Sequence, residues 1–400
     1  MTIAAERSAT DALLSALEPE RERYTALRRA LHAQPEIAFE EHATAERVAR
    51  DLEASGLAVR RGVAGTGVVA ELRAGTSERA IALRADLDAL GLEEESDLPY
   101  RSGVAGKMHA CGHDGHTAML LLAANHLART RRFDGRVVFV FQPAEEGGAG
   151  GRELVRAGLF RDHPADAVYG LHNVPGLRAG QFAVRAGAMM ASADGFEVAL
   201  RGPGGHAALP HTAGDPVLAG SALVAALHTL VSRNIDPLEP AVLSVTRFQA
   251  GTANNVIPAL ATLGGTVRTY AGHVADALEA GITRLASSLA LGYGLEAEVR
   301  YTRGYPPTVN TAREARFAAS VLEELYGADG VQTEFNPLMA SEDFAFLLHE
   351  RPGAYAFVGN GDSAALHTPH YDFNDAILTR GAAYWVRLAE RALEPGKDQP

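Results

Sequence analysis

Apolar positions recur at helical spacing from the N-terminus onward. Leu13, Leu14 and Leu17 share one face, and Leu27, Leu31, Val48 and Leu52 continue the pattern. This predicts helix over 11–56, broken at Pro35. Short apolar runs bounded by turn residues follow at 67–72 (GVVAEL), 80–90 (AIALRADLDAL), 136–142 (RVVFVFQ) and 166–173 (DAVYGLHN). Helical stretches over 117–130 and 151–157 separate several of them. Strands alternating with helices predict an α/β sheet, largely parallel and flanked by helices.

The rhythm changes near Gly187. A strand pattern at 194–202 precedes an apolar helix at 215–232, strands at 241–250 and 261–270, a helix at 274–290 and a strand at 296–304. The order β-α-β-β-α-β is that of a ferredoxin-like α+β unit. Helical patterns then return in ARFAASVLEELYG and GAAYWVRLAERAL. The expectation is an α/β domain over 1–186 and 305–400, interrupted by an α+β insertion over 187–304. The tail EPGKDQP is expected to fray.

Composition narrows the functional classes. With 400 residues, two domains are expected, and 47% hydrophobic with 22% charged residues is ordinary globular composition. A net charge of −12 and a pI near 5.7 lack the basic footprint of a nucleic-acid binder. A single cysteine cannot form an intrachain disulfide, which fits a reducing compartment. The charged, amphipathic N-terminus shows no secretory h-region, and the longest apolar run, AMLLLAANHLA, is too short to span a bilayer. The expectation is a soluble cytoplasmic protein with neither nucleic-acid nor membrane partners.

Candidate chemistry concentrates in KMHACGHDGH (107–116), where three histidines and an aspartate surround the only cysteine, Cys111. In an extended segment the i, i+2 spacing puts Cys111 and His113 on one face, where they can share a metal. A helix starting at 117 would aim its N-terminal dipole at the thiol and favour the thiolate. The alternative is a buried structural cysteine beside histidines that cap a helix. In FQPAEEGGAGG, Glu145 and Glu146 follow an apolar strand that Pro143 ends. One carboxylate can ligate a metal while its neighbour holds a water as general base; a solvated acidic turn is the plainer reading. His172 in GLHNVPG ends another apolar run, and His367 and His370 lie in a proline-containing loop. Asp86 and Asp88 leave a strand; Asp86 can orient a metal-bound imidazole, and Asp88 can cap the next segment. The insertion carries His206 in RGPGGHAALPH, Asn255 in ANNVIP and Arg268 in GTVRT. The GPGG run matches no phosphate-binding fingerprint, and an arginine facing a cleft suits a carboxylate.

Together these stretches resemble the dinuclear metallo-amidohydrolases and carboxypeptidases, in particular the branch of hippurate and auxin-conjugate hydrolases. The resemblance runs from RRALHAQPEIAFEE (28–41) to LHTPHYDFND, and MHACGHDGH, FQPAEEGG and MASEDF (339–344) are specific in combination. It implies a phosphorylase/hydrolase-like catalytic domain, with the insertion as a lid or dimerisation domain. It implies Cys111, His113, Glu146, His172 and His367 as ligands of two divalent metal ions, with Cys111 standing where other branches use a bridging aspartate. Glu145 matches the general base, and His206 the histidine that polarises the scissile carbonyl. Asn255 and Arg268 match groups that hold the substrate, Arg268 on its carboxylate. One departure is Arg84, where other branches have a metal-binding histidine; His113 takes over that role in this branch. A thiolate bridge changes softness preferences, so zinc, manganese, cobalt and nickel all qualify.

The implied reaction is hydrolysis of an N-acyl-L-amino acid to a free acid and an amino acid, by a homodimer or homotetramer. A dipeptidase or carboxypeptidase, or an N-acetyl-diaminopimelate-type deacetylase, would use the same chemistry with a different acyl pocket. A non-catalytic metal binder would have no use for Glu145. A cysteine hydrolase with Cys111 as nucleophile would need an oxyanion-hole motif that the sequence does not show.

Overall fold

A computed structural model describes the backbone of residues 3–396 and the side chains of residues 10–396. Residues 397–400, part of the tail expected to fray, lie outside the described residues. The chain forms two compact units: Met1–Met189, Val309–Asn336 and Asp343–Pro400 in the first, Met190–Thr308 and Pro337–Glu342 in the second. Residues 337–342 therefore join the second unit, whereas the sequence pattern left them in the first.

The first unit is built on an eight-stranded mixed sheet. Its order is Ala58–Val63, Gly67–Ala74, Gly135–Gln142, Ala80–Asp86, Ala167–Pro175, Gly353–Gly361, Phe182–Ala183, Val331–Gln332. The central four strands, from Gly135–Gln142 to Gly353–Gly361, are mutually parallel, and antiparallel pairs lie to either side. Every residue of Ala80–Asp86 is buried, as expected of a parallel strand covered on both faces. Helix His113–Thr130 is buried from His113 through Leu127, so its apolar residues run around the whole cylinder instead of forming a stripe. It joins helix Leu378–Ala392, with Tyr384 and Trp385, in the main core. The N-terminal pattern resolves into helices Ile3–Leu17, Arg21–His32 and His42–Ala54.

The second unit contains the expected β-α-β-β-α-β order. Strands Ala193–Arg201, Ala241–Ala250, Leu260–Thr269 and Glu296–Tyr305 form one antiparallel sheet. Helices Pro216–Asn234 and Gly272–Gly292 cover one face, burying Phe196, Val198, Leu200, Leu223, Leu227, Leu278 and Ile282. Helix Pro216–Asn234 has the length and apolar composition to cross a membrane, which the sequence reading did not anticipate. Its Ala219, Leu223, Leu227 and Leu230 are packed inside this unit.

Candidate metal centre

Parallel strands deliver their C-terminal ends to one edge of a sheet, where open α/β folds place their ligands. At that edge Ala80–Asp86 runs into Asp88, and Gly135–Gln142 exits through Pro143 to Glu145 and Glu146. Ala167–Pro175 carries His172, and Gly353–Gly361 leads to the loop holding His367. Cys111 and His113 come from the start of the central helix. That helix begins at His113 and not at 117, and the segment before it is not extended. Gly112 has φ +89°, a left-handed conformation that turns the chain between the two side chains. A Cβ there would lie 2.3 Å from Asn173 Nδ2 and 2.5 Å from Tyr371 Oη, so only glycine fits.

The ligand-capable atoms gather around Cys111. Cys111, His113 and His172 have donor atoms within 4.8 Å of one another, and so do Cys111, Glu146 and His367. The two triads share the sulfur. Cys111 Sγ lies 3.3 Å from His172 Nε2, and Glu146 Oε1 lies 3.1 Å from His367 Nε2 and 4.0 Å from His113 Nε2. Among the described residues His113 Nε2 and Glu146 Oε1 are buried without a hydrogen bond, His367 Nε2 facing Glu146 Oε1 outside hydrogen-bond geometry. Buried polar atoms are rarely left so, and an ion between them would satisfy both. One thiolate, three imidazoles and a carboxylate form a donor set suited to first-row divalent metals, so these residues fit a metal pair.

Surrounding groups fix which nitrogen of each ring is offered. His113 Nδ1–H donates to the Asp88 carbonyl at 2.8 Å, and His172 Nδ1–H to the Asn173 carbonyl at 2.6 Å, leaving Nε2 of each as the lone-pair donor. His116 is excluded as a ligand because both its nitrogens are used. Its Nδ1 meets Asp86 Oδ1 at 2.6 Å, and its Nε2 accepts the Asn173 amide at 3.0 Å. The imidazole that Asp86 holds is thus His116, while Asp86 Oδ2 takes Arg84 at 2.8 Å and stands 3.8 Å from His113 Nε2. His109 is buried, with neither ring nitrogen hydrogen-bonded among the described residues, and burial pushes it down to about 4. His370 is exposed and faces Glu95 at 3.8 Å, outside the cluster. His367 has φ +59°, a strained backbone for a histidine, and its amide is tied to the Ala110 carbonyl at 2.8 Å.

The electrostatics reverse one expectation. Burial, reinforced by Glu146 and Glu145, pushes the Cys111 thiol up and overrides the favourable helix N-terminus. His113, which burial alone would push down, is raised to about 10 by Asp86 and Asp88. Burial and the neighbouring His116 push His172 down. A divalent ion held here would need the Cys111 thiolate and neutral imidazoles, so its binding would release protons.

Several positioning groups have roles that the sequence did not indicate, among them Asp88, expected as a cap of the segment after its own strand but bonded to another loop. Asp88 accepts the amides of Glu145 and Glu146 at 3.0 and 2.8 Å, one on each oxygen. Asn173 donates to the Cys111 carbonyl at 2.6 Å and accepts the Tyr371 hydroxyl at 2.7 Å. Asp343, in the MASEDF motif, takes Gln142, Gly151 and Arg84 at 2.6, 2.7 and 3.1 Å, and its own amide donates to Glu145 Oε1 at 3.3 Å. Arg84 is thus a buried cation bridging Asp86 and Asp343.

The remaining sequence candidates belong to the second unit. His206 is exposed on the two-residue strand Gly205–His206, paired with Val256–Ile257, and its Nδ1 accepts the Ala208 amide at 3.1 Å. The Ala207 amide bonds the Asn255 carbonyl at 3.0 Å, so this ladder brings His206 and Asn255 together. Arg268, on strand Leu260–Thr269, is half-buried and donates to Ser341 Oγ at 3.0 Å.

Residues 82–391 match the model of Peptidase family M20/M25/M40. The chain is 41% identical to hippurate hydrolase of Campylobacter jejuni over 368 residues, 92% of this chain and 96% of that protein. It is 39% identical to N-acetylcysteine deacetylase of Bacillus subtilis over 370 residues, 92% and 96% of the two chains. The solved structure of Bacillus subtilis YXEP protein, described as a dinuclear metal binding peptidase from the M20 family, superposes with a TM-score of 0.83. It shares 34% identity, covering 94% of this chain and 99% of that one.

Proposed function

The chain belongs to peptidase family M20/M25/M40, and on that premise we propose that it is a metal-dependent amidohydrolase of N-acyl-L-amino acids. The observation that carries this reading is the shared sulfur: two ligand triads meet at Cys111, with Glu145 beside them but outside both. Cys111, His113 and His172 would hold one ion, and Cys111, Glu146 and His367 the other. When bound, the ions supply Lewis-acid polarisation and lower the pKa of water.

The chain's own residues do the rest. Glu145 accepts the proton of the attacking water and returns it to the leaving amine. Asp88 fixes the Glu145 backbone and the Asp343 amide holds its Oε1, so the carboxylate has a defined direction. His206 donates to the carbonyl under attack, and Arg268 and Asn255 bind the α-carboxylate of the leaving amino acid. Reaction class follows from the hippurate hydrolase and deacetylase relatives, whose acyl groups differ. We extend the proposal to an apolar or aromatic acyl group, with Met190 and residues 338–340 of the second unit as adaptable pocket walls. A cytoplasmic homodimer or homotetramer completes it. Light scattering would test the oligomeric state.

The test is a panel of benzoyl, acetyl, phenylacetyl and indoleacetyl amino acids, offered to protein as purified, chelated, and reconstituted with Zn, Mn, Co or Ni. Hydrolysis that chelation abolishes and one metal restores supports the reading and identifies the metal. Metal-loaded protein inactive on every member contradicts it.

A further inference from the structure

The motif RRALHAQPEIAFEE (28–41) supplies none of the proposed ligands, yet three of its polar side chains, Arg28, His32 and Glu41, are among the most deeply buried in the first unit. Arg28 and His32, one turn apart on helix Arg21–His32, are both fully buried. His32 Nδ1 lies 2.9 Å from Asp114 Oδ2, and its Nε2 3.4 Å from Glu94 Oε1. Arg28 Nη1 reaches Asp114 at 3.4 Å and Asp372 at 3.1 Å, while Nε and Nη2 grip Asp375 at 2.9 and 3.1 Å. Asp114 directly follows His113, and Asp372 and Asp375 close the loop that carries His367.

The other end of the motif holds the third ligand loop. Glu41 is fully buried. Its Oε1 accepts the Ala144 amide at 2.8 Å, and its Oε2 accepts the Thr66 hydroxyl. Ala144 has φ +53° and immediately precedes Glu145 and Glu146. With the two amides that Asp88 takes, three successive backbone N–H groups of this turn are held by buried carboxylates. The Phe39 ring lies over the same turn, where a Cβ on Gly148 would come 3.1 Å from its Cε2. One segment therefore grips all three loops that bear the ligands.

Buried ion pairs contribute little net stability compared with apolar packing of the same volume, so fixing geometry is the better account of their presence. We propose that residues 28–41 form a clasp that sets the spacing of the metal ligands. Arg28, His32 and Glu41 are positioning residues, acting through Asp114, Asp372 and the Ala144 amide. This rests on the metal-centre reading above.

The test compares Glu41→Ala and Glu41→Gln with wild type in full-length protein. Zinc affinity is read by competition with a chromogenic chelator, well below each variant's melting temperature. Steady-state hydrolysis of the best panel substrate is measured at saturating metal. Glu41→Ala is expected to weaken zinc binding on the order of 10- to 100-fold, the usual cost of removing a group that orients ligands. It should also lower kcat with KM nearly unchanged. Glu41→Gln keeps an oxygen for the Ala144 amide and should restore most of both. A purely structural role would lower the melting temperature and leave affinity and kcat alone, which overturns the clasp. If Glu41→Ala does not fold, His32→Leu against His32→Asn makes the same comparison through Asp114. Wild type that takes up no zinc overturns both readings. Wild type that binds and turns over, beside unchanged variants, overturns the clasp alone.

Discussion

Replacing Asp88 with asparagine separates the backbone support of the centre from its ligands. The Asp88 carboxylate is buried and takes one amide on each oxygen, from Glu145 at 3.0 Å and Glu146 at 2.8 Å. Hydrogen bonds to a charged group contribute about 1.5–3 kcal/mol each. Asparagine keeps one acceptor but turns an NH2 toward the other amide, so a donor faces a donor. One charge-assisted bond is lost and the other becomes a neutral one. The expected loss is about 3 kcal/mol in the metal-free protein, read from the urea midpoint of the transition that reports the first unit. Function should suffer separately. Glu145 and Glu146 are adjacent on the chain but are assigned opposite tasks, and only a fixed turn keeps one as base and the other as ligand. At saturating metal kcat should fall about 100-fold, the scale of losing an oriented general base. The Asp88 main-chain carbonyl still orients His113, but the carboxylate also stands 3.4 Å from its Nδ1 and holds the Glu146 amide, so metal affinity should weaken while saturating metal still loads the site. An Asp88→Asn protein with wild-type stability and kcat would refute the reasoning.

Other substitutions test the remaining assignments. Glu145→Gln should keep its metal by elemental analysis and lose about 100-fold or more in turnover; near-normal turnover would remove it as the base. Arg268→Ala should raise KM for substrates with a free α-carboxylate and leave amidated analogues unaffected; an equal effect on both would remove it as the carboxylate anchor. His32 gives a pH prediction. Burial alone would lower it, but Asp114 and Glu94 raise it to about 9 from 6.5. Its ion pairs therefore stabilise the fold fully below about pH 6.5, and that stability is lost as pH rises through about 9. The difference corresponds to about 3 kcal/mol, so His32→Asn should flatten the alkaline decline in the urea midpoint. An unchanged alkaline limb would count against the charged pair.

Local pattern made much of this architecture legible. The β-α-β-β-α-β order of the insertion follows from apolar periodicity between clear turns. Strand Gly353–Gly361 was not predicted, because GAYAFVGNG carries three glycines and little polar alternation, yet it lies in the middle of the sheet. The helix start at His113 was missed because Gly112 is read as part of an extended run unless its positive φ is known. Residue type raised the ligand candidates, but only the family resemblance singled out Cys111, His113, Glu146, His172 and His367 among them. Their supports stood out in neither way: Asp88 reaches Glu145, Tyr371 reaches Asn173 and Arg28 reaches Asp372 across long stretches of chain. Those pairings are set by the sheet order, which no local spacing encodes. The setting of the thiol was hidden for a similar reason: the dipole is local, while the burial that pushes the thiol up, and the carboxylates that reinforce it, come from the rest of the fold.

The central claim is that the Cys111 sulfur is shared by two metal ions, and a cobalt titration tests it most directly. Chelated wild type should take up two equivalents of Co(II) and develop a thiolate-to-cobalt charge-transfer band in the near ultraviolet. Cys111→Ser should lose the band, together with most of the affinity and turnover. Full uptake and activity with no thiolate band in wild type, or an unchanged titration in Cys111→Ser, would contradict the account.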